Sequence, residues 1–311
     1  MKRFSYVRNG RCRISLSILL CSIGLFVGVG CSSDSTVSEG DLTPHLNKSD
    51  SLALVKIYQE IGPWHQDWDL HDITTWNGVT TGLEEESNEI RVIGLEVYAG
   101  QCHGILPKEI CQLTELRRLV ISGGIMQGNI PNDIGKLKNL IILVIADNNV
   151  TGVIPESIGE LTSLRMLQLS NNLLSGTVPE SIGNLKNLEY LYINDTYISG
   201  DVPKGIANMN KLKRVILTDN KFSGTFPIEI LKNNILIECD NNNITELPLE
   251  VWNDSSDCVP PLLQGNRLSG EIPEHIKHTK KWEQYYVICT NHQQKGYGYS
   301  KYYGLSYDEW N

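Results

Sequence analysis

A glycine stands at Gly104, Gly128, Gly152, Gly176, Gly200 and Gly224, and three residues behind each comes a proline, at Pro107, Pro131, Pro155, Pro179, Pro203 and Pro227. The interval is 24 residues and is held five times over. "GVIPESIGELTSLRMLQLSNNLLS" at 152–175 is followed by "GTVPESIGNLKNLEYLYINDTYIS", the same skeleton with different decoration. A strict period of this length is the mark of a solenoid, because one such unit cannot bury its apolar face alone and must stack on its neighbours.

Each position of the unit has a physical reason. Leu164, Leu167, Leu169, Asn172 and Leu174 recur as Leu140, Leu143, Ile145, Asn148 and Val150, and again as Leu212, Val215, Leu217, Asn220 and Phe222. The L-x-L spacing is that of a short strand with one face buried, so successive coils lay parallel strands side by side in a curved sheet. The asparagine both donates and accepts, which lets stacked amides satisfy backbone groups where the chain leaves the sheet. Gly124 and Thr196 replace it in two coils, so breaks in that ladder are expected there. Proline opens a segment that need not donate, and "ESIGEL" after it predicts a short helical or 3-10 turn that places one Ile and one Leu inward.

The consensus L-x-x-L-x-x-L-x-L-x-x-N-x-L-S-G-x-I-P resembles the plant-type leucine-rich repeat over about Val92 to Thr290. The resemblance implies an α/β repeat solenoid: a right-handed coil with a curved parallel β-sheet on its concave face, short 3-10 or helical turns on its convex face and a helical N-terminal cap. Val92, Leu95 and Val97 fit a first strand. The segment "IECDNNNITELP" is closer to a shorter bacterial-type repeat, and Tyr285 with Val287 fits a ninth and last strand. The expected organisation is a signal segment over 1–30, a tether over 31–49, the cap over 50–91, about nine coils over 92–290 and a C-terminal cap or tail over 291–311. The cap has an amphipathic pattern at Leu52, Val55, Ile57 and Tyr58. It lacks the paired cysteines of the family and is expected to rest on Trp64, Trp68 and Trp76.

The first residues are an address. Lys2, Arg3, Arg8, Arg11 and Arg13 precede the apolar run "ISLSILLCSIGLFVGVG", which ends in small residues at Cys31. That is an export signal, and its end resembles a bacterial lipoprotein lipobox, which implies that Cys31 is lipidated and becomes the mature N-terminus. An uncleaved membrane anchor is the alternative, although the run is at the short edge for a span. The resemblance places the protein in the bacterial cell envelope, at the outer membrane or cell surface, behind a flexible Ser- and Asp-rich tether. Cleavage would remove five basic residues and no acidic one from a chain whose formal net charge is already −9. An acidic body without a basic stripe argues against nucleic acid as a partner.

Chemistry-bearing motifs are absent. The sequence holds no nucleophile elbow, zinc-protease helix or phosphate loop, so no enzyme, metal or cofactor is expected. His275, His278 and His292 could gather a surface metal or simply be solvated. Asp147, Asn171, Asp195, Asp219 and Asn241 occupy one position in successive coils. Such a row suits a hard cation or a basic partner, or reflects a polar turn that favours Asp and Asn. Of the cysteines beyond the signal, Cys102 with Cys111 is the pair whose spacing suits a bridge; Cys239 fits an inward position, and Cys258 and Cys289 are too far apart in the register.

With the buried positions fixed by packing, the residues that point out of the concave sheet are free to differ. There stand Arg117, Arg118, Val144, Arg165, Met166, Gln168, Tyr190, Tyr192, Asp195, Arg214, Ile216, Glu238 and Tyr286. Tyr, Arg, Met and Ile on one face is the composition of an interface, although Val144 and Ile216 also suit strands in their own right. The expected function is a membrane-anchored binding protein whose concave face takes a macromolecule, a protein first and a glycan as the alternative. An enzyme would have to use Glu238 with Asp240, the one close acidic pair in that register.

Acylation needs the thiol, so the Cys31→Ser variant is expected to move from the detergent phase to the aqueous phase on partitioning. Unchanged partitioning would assign the apolar run as an anchor in its own right.

Overall fold

The computed structural model describes residues 4–6, 45–61, 76–98, 104–231, 235–255, 259–269 and 271–290. Trp64, Trp68, Cys31, Cys102, Cys258, His292 and the 291–311 tail lie outside them. The strands Glu89–Tyr98, Arg118–Ser122, Ile142–Ala146, Met166–Gln168, Tyr190–Tyr192, Arg214–Ile216 and Leu236–Glu238 lie side by side in chain order, each parallel to the next. Register follows the sequence period: Ile142 pairs with Met166, Met166 with Tyr190 and Tyr190 with Arg214. At the shorter repeat the register shortens too, with Arg214 beside Leu236, and a bridge from Glu238 to Leu262 restores the longer step.

Alternation along each strand sends one face into the core. Leu143, Leu167, Leu191, Leu119 and Ile193 are fully buried in one continuous cluster that runs the length of the solenoid. Opposite the sheet, 3-10 turns at Lys108–Gln112, Ile134–Lys136, Glu156–Glu160, Glu180–Asn184 and Lys204–Asn208 close the coils. Pro107, Pro155, Pro179 and Pro203 stand before four of these turns with φ between −66° and −80°. That is proline's fixed value, and its missing N–H is no loss at a helix start.

Where each strand ends, the chain must turn without leaving buried carbonyls unpaired. Asn172 Nδ2 donates to the carbonyls of Ile145, Leu169 and Ser170 at 2.8, 3.1 and 3.1 Å, and its Oδ1 accepts from the Val150 amide at 3.1 Å. Asn220, Asn242 and Asn266 each donate to three carbonyls in the same way. At Thr196 the amide-to-carbonyl ladder is interrupted as expected, because the one hydroxyl hydrogen goes to Asn220 Oδ1 and none is left for the carbonyls; that bond links Thr196 to the next coil's amide. One residue earlier, Asp147, Asn171, Asp195, Asp219 and Asn241 all have φ between 54° and 56°. This is the left-handed region, which Asn, Asp and Gly tolerate best, and Gly123 and Gly265 fill the same position at φ 81° and 68°. The row is first of all a backbone requirement.

A second parallel sheet runs along the flank through Ser175–Gly176, Tyr197–Asp201, Lys221–Thr225 and Asn243–Glu246. The sequence analysis did not foresee it. Its glycines explain the invariant beat: Gly176 has φ 77°, and a Cβ there would lie 2.8 Å from Val153 Cγ1 of the preceding coil. Only glycine fits both the dihedral and the approach.

Both ends are closed. The helix Lys48–Ile61 buries Ala53, Leu54, Ile57 and Ile61, and Trp76 joins the same core. Its buried Asp50 accepts from Arg91 Nε at 3.0 Å and from the Val92 amide at 2.8 Å, which fixes the helix to the first parallel strand. That strand also pairs antiparallel with Val79–Glu84, an unforeseen hairpin, and Phe4–Tyr6 adds a further antiparallel strand at its edge. At the other end the expected ninth strand is a helix, Lys280–Thr290. Thr279 Oγ1 accepts from the Trp282 amide, Asp254 accepts from the amides of Lys280 and Lys281, and Trp282 packs edge-on against Trp252 with ring centroids 5.0 Å apart. The Tyr285–Val287 spacing read as a strand is outweighed by this capped start. Among the described residues no helix is long and apolar enough to cross a membrane.

Leu167→Ala is expected to lower stability by about 2–5 kcal/mol in chemical denaturation, whereas Gln168→Ala, one residue on and facing out, should change it by less than about 0.5 kcal/mol. Equal losses would contradict the register.

Candidate functional site

The concave face is built from the outward positions of the parallel strands. Register aligns Arg118, Ile142, Met166, Tyr190, Arg214 and Leu236 in one column, and Val120, Val144, Gln168, Tyr192, Ile216 and Glu238 in the next. Neighbouring strands stand about 4.8 Å apart, so each column is a continuous row of side chains. Tyr190 and Tyr192 lie at the middle with ring centroids 6.1 Å apart and planes tilted by 46°. Met166 and Gln168 flank them on one side, Arg214 and Ile216 on the other, and all are partly exposed.

The charges on this face are largely paired within it. Arg118 Nε lies 2.5 Å from Glu96 Oε1. Arg214 donates to Glu238 Oε1 from Nε at 2.9 Å and from Nη2 at 2.5 Å. Glu189 accepts from Lys213 Nζ at 2.7 Å and from Arg165 Nε at 2.6 Å. The hydrogen bond from Lys213, and next that from Arg165, hold the Glu189 carboxyl below the usual carboxylate range. Lys213 also stands over the Tyr190 ring, 5.8 Å from its centroid. The centre of the face is therefore aromatic and aliphatic, with a one-to-one ion pair, Arg214 with Glu238, and a two-to-one group, Arg165 and Lys213 on Glu189, beside it.

Arg118, Val144, Met166, Gln168, Tyr190, Tyr192, Arg214, Ile216 and Glu238 are brought together as the sequence suggested. Arg117 and Arg165 stand one residue before their strands, at the entry edge of the sheet, where Arg165 is largely exposed. Asp195 belongs to the left-handed turn after the strand and accepts from Asn194 Nδ2 at 2.7 Å. Tyr286 lies in the C-terminal helix and not in a strand, so it leaves the column. Glu96, Glu189 and Lys213 were missed. Glu189 and Lys213 follow Arg165 at the same period, which is the signal that could have found them.

The other candidates separate. Cys111 is a free thiol, buried in the core, and burial pushes it up to about 12; Cys102, the partner the spacing suggested, lies outside the described residues. Cys239 is likewise free and fully buried. His278 Nε2 lies 3.5 Å from Glu274, and among the described residues no three His, Cys, Asp or Glu side chains gather as metal ligands would. Asp240 is half-covered, and desolvation raises its carboxyl, while its Oδ1 accepts the Gln264 amide at 2.8 Å.

Residues 85–220 match the family model of a leucine-rich repeat region. The fold is that of a leucine-rich repeat protein. Solved structures agree. The repeat protein is similar to the leucine-rich repeat ectodomain of the plant membrane receptor kinase GASSHO1/SCHENGEN3 from Arabidopsis thaliana in complex with CASPARIAN STRIP INTEGRITY FACTOR 2, at 26% identity and TM-score 0.59, over 75% of this chain and 31% of that one. It is also similar to the plant peptide hormone receptor RGFR1 in complex with RGF2, at 30% identity and TM-score 0.51, over 57% of this chain and 29% of the receptor. A TDR receptor matches at 31% identity and TM-score 0.51, over 61% of this chain and 34% of that one. The repeat protein thus spans about a third or less of the length of each receptor chain. Comparison with curated protein sequences found no match.

Proposed function

We propose that this protein is a lipid-anchored, extracytoplasmic binding protein that recognises a protein ligand through its concave face. The observation that carries the reading is the centre of that face: Tyr190, Tyr192, Met166 and Ile216 stand outward in register, while the neighbouring charges are drawn into contacts with one another, Arg214 with Glu238 and both Arg165 and Lys213 with Glu189. A surface of this kind gains from burying aromatic and aliphatic area and depends little on salt, because its charges are already partnered. Rigid tyrosines on a sheet lose little conformational freedom on binding. The likeness to ectodomains solved with bound ligands supports the same use. The lipobox resemblance at Cys31 supports attachment to a membrane, with the tether holding the solenoid clear of it.

A photo-crosslinking residue placed at 192 in the full-length protein tests this in the native envelope. A covalent adduct is expected from 192 and none from the convex position 156. Protease sensitivity of the adduct identifies a protein, and sensitivity to glycosidases alone would assign a glycan instead. With the captured partner in hand, Tyr192→Ala should weaken binding more than about tenfold with the melting temperature almost unchanged. Arg214→Ala should weaken it less, since Glu238 already neutralises that guanidinium. Adducts from 156 alone would place recognition on the outer side.

A further inference from the structure

At its N-terminal end the large sheet has an edge that the chain closes with its own first residues. Val79–Glu84 pairs on one side with Glu89–Tyr98 and on the other with Phe4–Tyr6, which runs antiparallel to it with Phe4 beside Glu84, Ser5 beside Leu83 and Tyr6 beside Gly82. Phe4–Tyr6 belongs to the stretch expected to be an export signal. If Cys31 becomes the mature N-terminus, as the reading above has it, the processed protein has lost the strand that closes this edge.

A bare edge presents a row of unpaired N–H and C=O groups and invites another strand. The segment "VTTGLE" is suited to receive one: Val79, Thr80 and Thr81 are β-branched, and it contains neither Pro nor Lys, the residues that blunt natural edges. Its one charge does not guard it, because Glu84 is buried with its Oε2 3.5 Å from Arg91 Nη1. Just past Glu84 the hairpin tip exposes Glu85 and Glu86. Antiparallel addition brings the N-terminal end of the added strand toward that tip, so basic residues there meet carboxylates. In the sequence Lys2 and Arg3 precede Phe4–Tyr6. The chain's formal net charge of −9 also draws a cationic segment at long range.

We propose that the Val79–Glu84 edge is a strand-addition site for an extended, basic segment of a partner protein, and that the chain's own leader occupies it until processing at Cys31, on which this step rests, removes it. Main-chain hydrogen bonds supply the affinity, and Glu85 and Glu86 select the charge. The site lies beside the N-terminal cap, away from Tyr190 and Tyr192 at the centre of the concave face. It does not depend on what that face binds.

The probe is a fluorescently labelled peptide of residues 2–8 of this chain, titrated by anisotropy against three forms of the protein. The first is the full chain from cell-free synthesis. The second is the full chain with Phe4→Pro, Ser5→Pro and Tyr6→Pro, whose leader cannot pair as a strand. The third is the chain isolated from the envelope, whose mass shows whether residues 1–30 are gone. Saturable binding is expected to the proline variant and to the processed chain, and binding about tenfold weaker or less to the parent full chain, whose own strand competes intramolecularly. Glu85→Gln with Glu86→Gln, both at exposed positions, should weaken binding to the proline variant by about fivefold. Peptides N-methylated at residue 5, or at residues 4 and 6, separate strand addition from charge attraction. Only alternate residues of an added strand bond to its neighbour, so one pattern should abolish binding and the other should be tolerated. Equal affinity for the parent and the proline variant, equal effects of the two methylation patterns, or loss of binding in Tyr192→Ala would each overturn the proposal. Retention of residues 1–30 in the envelope chain would refute processing and with it the opening of the edge in the mature protein, while the proline variant still decides whether the edge accepts the segment.

Discussion

The structure depends on one buried polar device, the side-chain amide that closes each strand. A coil that leaves a parallel sheet abandons backbone carbonyls in a dry interior, where an unpaired polar group costs about 1–3 kcal/mol. Asn172 serves three such carbonyls and one amide from a single side chain, and its equivalents repeat the arrangement along the solenoid. No apolar residue could do this, and a serine has too few donors. The residue before it must take the left-handed conformation that lets the amide point inward, so two adjacent positions are fixed by one requirement.

That constraint separates what the repeat must keep from what it may vary. Inward leucines and isoleucines fill the core, the amide closes the strand, and glycine opens the flank for the second sheet. The outward strand positions carry none of these duties. They hold a tyrosine pair at the centre and ion pairs between adjacent coils beside it, Arg165 and Lys213 meeting Glu189 one repeat away while Arg118 with Glu96 and Arg214 with Glu238 cross diagonally between the columns. Periodicity thus builds the concave face as well as the scaffold, because register sets which side chains of one coil lie beside those of the next.

The solenoid, the alternation of its strands and most of its concave face were legible in the sequence, since a period of 24 residues fixes register as soon as one strand is placed. The left-handed row was legible as a turn preference, and Gly123 and Gly265 in the same position complete the argument. Three features were not legible. The flank sheet is made of short segments whose glycines read as turns, and its pairing arises only when coils stack. The hairpin before the first parallel strand has no periodic signal. Tyr286 was misplaced because Tyr285 and Val287 mimic strand spacing, whereas Thr279 and Asp254 provide the cap that starts a helix there. At Thr196 the interruption of the carbonyl ladder was legible from residue identity, but the hydroxyl's bond to the next coil's asparagine was not.

The most direct test of this account is native-state hydrogen exchange combined with denaturation of Asn172→Ala, set beside Asn149→Ala at an exposed position. The account predicts a loss of about 2–5 kcal/mol for Asn172→Ala, with faster exchange at the Val150 amide, whose acceptor has been removed, and little change for Asn149→Ala. Equal and small effects at the two sites, with the Val150 amide still protected, would contradict it and show that apolar packing alone holds the coils in register.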